Sequence, residues 1–145
     1  MYDDILLPTD GSDGIAEAAR HAGELAARFD ATVHVLSVVD TRNRFESPTG
    51  GLSDAAWTEA ERERAEAAVE KTVDALPDGV AVETSIVEGV PKTTILDIVA
   101  DEGLDMVVMG THGRTGLDHY LIGSVAEKVV RRSPVPVVTV RLTEA

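Results

Sequence analysis

The sequence predicts an α/β protein, a Rossmann-like three-layer sandwich in which a parallel sheet of five strands is covered by four helices on its two faces. Three observations predict it. Short apolar runs rich in β-branched residues alternate with amphipathic helical patterns along the chain. The alternations are punctuated by Gly, Pro, Asp or Ser, residue types that end helices and make turns. At 145 residues the chain has the length of one domain and shows no internal repeat, so residues 1–145 read as a single unit.

Residues 4 to 9, Asp-Ile-Leu-Leu-Pro-Thr, read as a short buried strand stopped by Pro8, with Asp10-Gly11-Ser12 as the turn that follows. From Ser12, a residue type that caps helices, apolar residues fall at Ile15, Ala18, Ala19, Ala22, Leu25, Ala26 and Phe29, one continuous face at helical spacing. Glu17, Arg20, Glu24 and Arg28 occupy the opposite face. Thr32 to Val39 is the second strand. Residues 40 to 52 contain Pro48, Gly50 and Gly51 and read as a mobile loop. Ser53 to Leu76 reads as a helix that can turn Trp57, Ala65, Val69, Val73 and Leu76 to the sheet while Glu59, Glu61, Glu63, Glu66 and Glu70 stay mostly solvated.

Val80 to Val87 is the third strand. Pro91 opens the next helix, whose apolar residues are Ile95, Leu96, Ile98 and Val99, and Gly103 stops it. Asp105 to Met109 is the fourth strand, and a last helix runs from Gly123 to Arg132. Lys128, Arg131 and Arg132 lie toward its carboxyl end, where cations complement the negative pole of the helix. Pro136 to Val140 is the fifth strand, with Pro136 tolerable at its start or at an edge.

Composition removes several function classes. Cys is absent, which excludes disulfides, thiol nucleophiles and Cys-ligated metals. The start, Met1-Tyr2-Asp3-Asp4, lacks the basic and apolar regions of a signal peptide, and no apolar run approaches the length of a membrane span, so a cytoplasmic protein is expected. Lys and Arg number 13 against 26 Asp and Glu, a formal charge of −13. Nucleic acid is therefore not an expected partner, since its backbone is bound mainly by Lys and Arg. The acids are spread over helix faces, as they would be in a high-salt cytoplasm that screens their repulsion, although ordinary cytosolic proteins are also often acidic.

The stretch with the most chemistry in it is Met109 to Val125, Met-Gly-Thr-His-Gly-Arg-Thr-Gly-Leu-Asp-His-Tyr-Leu-Ile-Gly-Ser-Val. Gly tolerates positive φ and close approach, so a strand-to-helix connection this rich in Gly can curl its N–H groups around an anion such as phosphate; the plainer reading is a set of tight turns. In open parallel sheets ligands sit at the carboxyl ends of the strands, where neighbouring crossovers diverge. If the first and fourth strands are adjacent, Pro8 to Ser12 and Gly110 to Ser124 open into one cleft.

Gly110-x2-Gly113-x9-Gly123-Ser124, together with Ile-Leu-Leu-Pro-Thr-Asp-Gly-Ser near the start and Ser-Pro-Val-Pro-Val-Val-Thr-Val near the end, resembles the universal stress protein family. The likeness spans essentially the whole chain and is strongest to the branch that binds ATP through a Gly-x2-Gly-x9-Gly-Ser/Thr motif. It implies the strand order 3-2-1-4-5. It also implies that Pro8, Thr9 and Asp10 line the base and ribose pocket, that Val38 meets adenine, and that Met109 and Gly110 floor the ribose. The phosphates would lie along Gly113, Arg114, Gly123, Ser124 and Val125, with Mg²⁺ or Mn²⁺ held mainly by the phosphates. A Cβ at Gly113 or Gly123 would occupy phosphate space. The resemblance further implies a homodimer through Val135 to Val140, and an unidentified protein partner that responds to the nucleotide.

Catalytic readings have plainer competitors. His112 has the chemistry of a general base, or is a loop side chain beside nucleotide or solvent. Ser12 and Ser124 fit helix starts, and no spacing pairs either with a base and an orienting acid. Asp10 could orient water, but a polar nucleotide contact explains it more simply. Asp118 and His119 are weak metal-ligand candidates, and neither a Walker A sequence nor Gly-x-Gly-x-x-Gly is present. The expectation is an ATP-binding, nucleotide-responsive module without fast chemistry. A slow ATPase or nucleotide-dependent enzyme, and a structural dimer that binds no nucleotide, are the alternatives.

Overall fold

A computed structural model describes residues 1–12, 14–41, 54–111 and 123–141. Along the chain come β1 (Asp4–Pro8), α1 (Ile15–Phe29), β2 (Thr32–Asp40), α2 (Asp54–Ala75), β3 (Ala81–Gly89), α3 (Pro91–Asp101), β4 (Met106–Gly110), α4 (Ser124–Arg132) and β5 (Val137–Val140). The sheet has the order β3-β2-β1-β4-β5 and every neighbouring pair is parallel, as the fold class predicts.

Each central strand serves two cores. Ile5 and Leu7 of β1, with Val33, Val35, Met106 and Val108, pack against α1 and α2. Leu6, one residue out of phase, joins Leu36, Val107 and Met109 against α3 and α4. This is why β1 and β4 read as unbroken apolar runs rather than alternating ones. Full burial of a side chain such as Leu6 contributes about 1.5–3 kcal/mol, so the middle of the sheet carries much of the stability. No side chain of β3 is fully buried, and of its apolar residues Val82, Ile86 and Val87 are half-buried, in keeping with its place at an edge.

Three expectations need correction. Ser12 does not cap α1: the helix begins at Ile15 with Gly14 at the cap position and no side-chain cap. The reason is local, because the Ser12 N–H donates to Asp10 Oδ1 at 2.9 Å and the Gly11 N–H to Thr9 Oγ1 at 3.0 Å, which holds these residues in successive turns before the helix. Phe29 is 44% exposed instead of buried, its ring edge-to-face with Tyr2 at 5.0 Å. The 15 residues of α1 span about 22 Å whereas the 5 of β1 span about 17 Å, so the last turn of the helix runs past the strand it covers. Asp40 belongs to β2, pairing with Gly89, rather than to the loop assigned to residues 40 to 52. The rest of that loop, and Ser53, lie outside the described residues.

Candidate functional site

The first and fourth strands are neighbours, with Ile5 opposite Met106 and Leu6 opposite Val107. Their pairing ends there, while β1 stays with β2 as far as Pro8–Leu36 and β4 stays with β5 as far as Gly110–Val140. Pro8 supplies the reason. The Thr9 N–H donates toward β2, to the Leu36 carbonyl at 2.8 Å. Backbone groups alternate sides along a strand, so the N–H that Pro8 lacks is the one that would have faced β4. The middle strands therefore lose their ladder at the carboxyl end, where α1 departs to one face and α4 to the other. That is the switch point at which such sheets bind ligands.

One wall of this notch is the β1–α1 loop. Thr9 is buried at 8% exposure, and its hydroxyl lies 2.8 Å from that of Thr72, which is fully buried on α2. Lys71 Nζ donates to the Gly11 carbonyl at 3.0 Å. Gly11 has φ +78°, and a Cβ there would stand 3.1 Å from the Ala68 methyl. Because the N–H groups of Gly11 and Ser12 are engaged by Thr9 and Asp10, this wall offers side chains and carbonyls more than backbone donors.

The opposite wall is richer in donors. The Thr111 N–H donates to the Val140 carbonyl at 3.0 Å, and the Gly123 N–H donates to Thr111 O at 2.6 Å, which returns the chain to the sheet just before α4. Gly123 occupies the cap position of α4 with no side-chain cap, and the first helical bond is from the Glu127 N–H to the Gly123 carbonyl. The N–H groups of Ser124, Val125 and Ala126 thus precede the helical ladder, at the positive pole of α4. Ser124 is exposed and Val125 half-buried.

Of the sequence-predicted residues, Pro8, Thr9, Asp10, Met109 and Gly110 lie at the carboxyl ends of β1 and β4, and Gly123, Ser124 and Val125 at the start of α4. Val38 is on the adjoining β2, half-buried beside the core under α3 and α4. The Met109 side chain is 5% exposed within that core. His112, Gly113, Arg114, Asp118 and His119 lie outside the described residues. A separate hollow, lined by Ala26, Ala27, Asp30 to Thr32 and Pro77 to Ala81, faces the amino ends of the strands, away from this site.

The model of the universal stress protein family matches residues 1–141. The chain belongs to that family. Universal stress protein MJ0531 of Methanocaldococcus jannaschii is 39% identical over 146 residues, covering 97% of this chain and 83% of the relative. The solved structure of MJ0577, from the same organism, shares 33% identity and superposes with a TM-score of 0.75 over 100% of this chain and 99% of that one. A universal stress protein in complex with cAMP is 25% identical, with a TM-score of 0.66 and 98% of each chain covered. Among the described residues no helix is long and apolar enough to cross a membrane.

Sequence reasoning missed Thr72, Ala68 and Lys71. A signal for Thr72 was present: it follows Val69 by three residues and so falls on the buried stripe, where a hydroxyl needs a partner.

Proposed function

We propose that this member of the universal stress protein family binds ATP at the switch point and acts, as one cytoplasmic domain, as a nucleotide-responsive module. The observation that carries the reading is the uncapped start of α4, with three backbone donors ahead of its ladder, across the notch from Thr9 and Asp10. A helix start of this kind favours phosphate. The likeness to a family member solved with cAMP supports an adenine nucleotide as the guest.

In this reading Pro8, Thr9, Asp10 and Val38 receive the adenosine, and the backbone of Met109 and Gly110 lies under the ribose. Ser124 and Val125 meet the phosphates through N–H groups and the Ser124 hydroxyl, with Gly113 and Arg114 completing the cradle. The Gly123 N–H is already given to Thr111, so the contribution of Gly123 is the space left by its missing Cβ. Mg²⁺ or Mn²⁺ neutralises the phosphates. Val135 to Val140 joins two copies: β5 is an edge strand, and pairing would cover its open side.

The test is to denature purified protein and identify released nucleotide by absorbance and mass, then to measure ATP affinity by calorimetry. Wild type should hold ATP, and Gly123→Val should weaken it about ten- to a hundredfold, the worth of one or two charge-assisted hydrogen bonds. Equal retention by the variant refutes the phosphate site. A monomer by light scattering removes the dimer.

A further inference from the structure

We infer that Thr72 of α2 is a positioning residue for the nucleotide pocket, coupling the docking of α2 to the shape of the β1–α1 loop; the inference rests on the ATP reading above. One turn of α2 is seated on residues 9 to 11. Ala68, Lys71 and Thr72 share a helix face, and each meets that loop: the Ala68 methyl under Gly11, Lys71 Nζ on the Gly11 carbonyl at 3.0 Å, and the Thr72 hydroxyl beside that of Thr9 at 2.8 Å.

The Thr72 hydroxyl is the buried member of this set, at 0% exposure, and it also reaches the Ala68 carbonyl at 2.7 Å. A threonine hydroxyl has one proton and can accept as well as donate. With that proton on the Ala68 carbonyl, Thr72 Oγ1 accepts from the Thr9 hydroxyl, and Thr9 Oγ1 accepts the Gly11 N–H at 3.0 Å. Every donor in the chain is then used, and water has no access to replace a missing partner. The rotamer of Thr9, and the turn that presents Asp10, are set by a residue 63 positions away in sequence. Thr72 is fully buried behind the notch wall and meets it at Thr9, so its effect on a ligand passes through Thr9. By linkage, a ligand that favours this loop geometry must favour the docked state of α2 by the same factor.

The experiment compares wild type with Thr72→Val, which keeps the buried volume, Thr72→Ser, which keeps the hydroxyl, and Lys71→Met, an exposed change that does not endanger folding. Each is checked for its urea midpoint, ATP dissociation constant and amide exchange without ligand. Thr72→Val should raise the ATP Kd about tenfold and speed exchange at the Gly11 amide, Thr72→Ser should stay within about twofold of wild type, and Lys71→Met should raise Kd about twofold. ATP should slow amide exchange across residues 68–72 in wild type and less so in Thr72→Val. If wild type binds ATP and folded Thr72→Val binds it equally well, the coupling is refuted while the nucleotide site stands. If Thr72→Val does not fold, an unchanged Kd for Lys71→Met refutes it. If wild type binds no ATP, the nucleotide reading fails and this inference falls with it.

Discussion

Replacing Gly11 by Ala tests whether α2 clamps the β1–α1 loop. Two terms oppose the substitution. Gly11 has φ +78°, and an L residue held in that region costs about 1–2 kcal/mol. The new methyl would also lie 3.1 Å from Ala68 Cβ, tighter than ordinary contact, and relief requires the helix or the loop to shift by a few tenths of an ångström. Overpacking at this lower end of its range adds about 1 kcal/mol. Gly103→Ala is the control, since its φ is +63° and nothing stands within 4 Å of its absent Cβ. Both variants lose the same unfolded-chain freedom that Gly brings, so their difference isolates the Ala68 contact.

Urea unfolding should therefore place Gly11→Ala about 2–3 kcal/mol below wild type and about 1 kcal/mol below Gly103→Ala, with unchanged slope. In a melting experiment the gap between the two variants would be about 3–4 °C. Ala68→Gly in the Gly11→Ala background should recover that difference as a coupling energy of about 1 kcal/mol, beyond the separate cost of Gly in a helix. Equal destabilisation by Gly11→Ala and Gly103→Ala, with no coupling to residue 68, would refute the clamp.

Asp105 Oδ2 accepts the N–H groups of Asp3 at 2.9 Å and Asp4 at 3.0 Å, tying the start of β4 to the start of β1. Asp105→Ala should cost about 1–3 kcal/mol in urea unfolding and Asp105→Asn distinctly less, because the amide carbonyl still accepts; equal losses would overturn that account. The Arg20 hydrogen bond to Glu17, 2.6 Å long, with the Arg20 charge second, holds the Glu17 carboxyl below the usual carboxylate range. With the folded value depressed, this pair adds stability above the ordinary value and loses it as pH falls through the depressed one; solvent screening at the surface keeps the effect small. An NMR titration of Arg20→Gln should move the Glu17 midpoint upward, and an unmoved midpoint would contradict the assignment. With a formal charge of −13, the melting temperature should climb from dilute buffer to molar KCl, where the Debye length falls to about 3 Å. Full stability in dilute buffer would reject adaptation to high salt.

The elements were legible because their signals are local. Apolar period, Gly103 after α3 and Pro91 at its start act within one or two turns, and the strands and helices fall within a residue or two of their sequence-predicted bounds. The beginning of α1 was misread because Ser12 has the right chemistry for a cap, yet Asp10 holds its N–H first. Phe29 was misread because helical spacing gives a face but not where the sheet beneath it ends. The first error is a local competition between neighbouring polar groups that periodicity does not read, and the second a length set by the sheet, beyond the window in which periodicity is informative.

For the site, two candidate loops were legible in the sequence: Pro8, Thr9 and Asp10 after an apolar strand, and glycines before an amphipathic helix. That Pro8 to Ser12 and the start of α4 lie at the same end of the sheet follows only from the fold, since β1 and β4 are adjacent although about a hundred residues separate them. Tertiary structure also turned Pro8 from a strand terminator into the residue that ends the ladder on the β4 side, because the direction of a missing N–H depends on which strand lies there. The role of α2 was decided there too. Thr72 is an ordinary helical residue in the sequence, and only the packing of α2 against the end of β1 makes its hydroxyl the partner of Thr9. Local propensity writes the elements, whereas contacts between distant residues choose which polar groups meet.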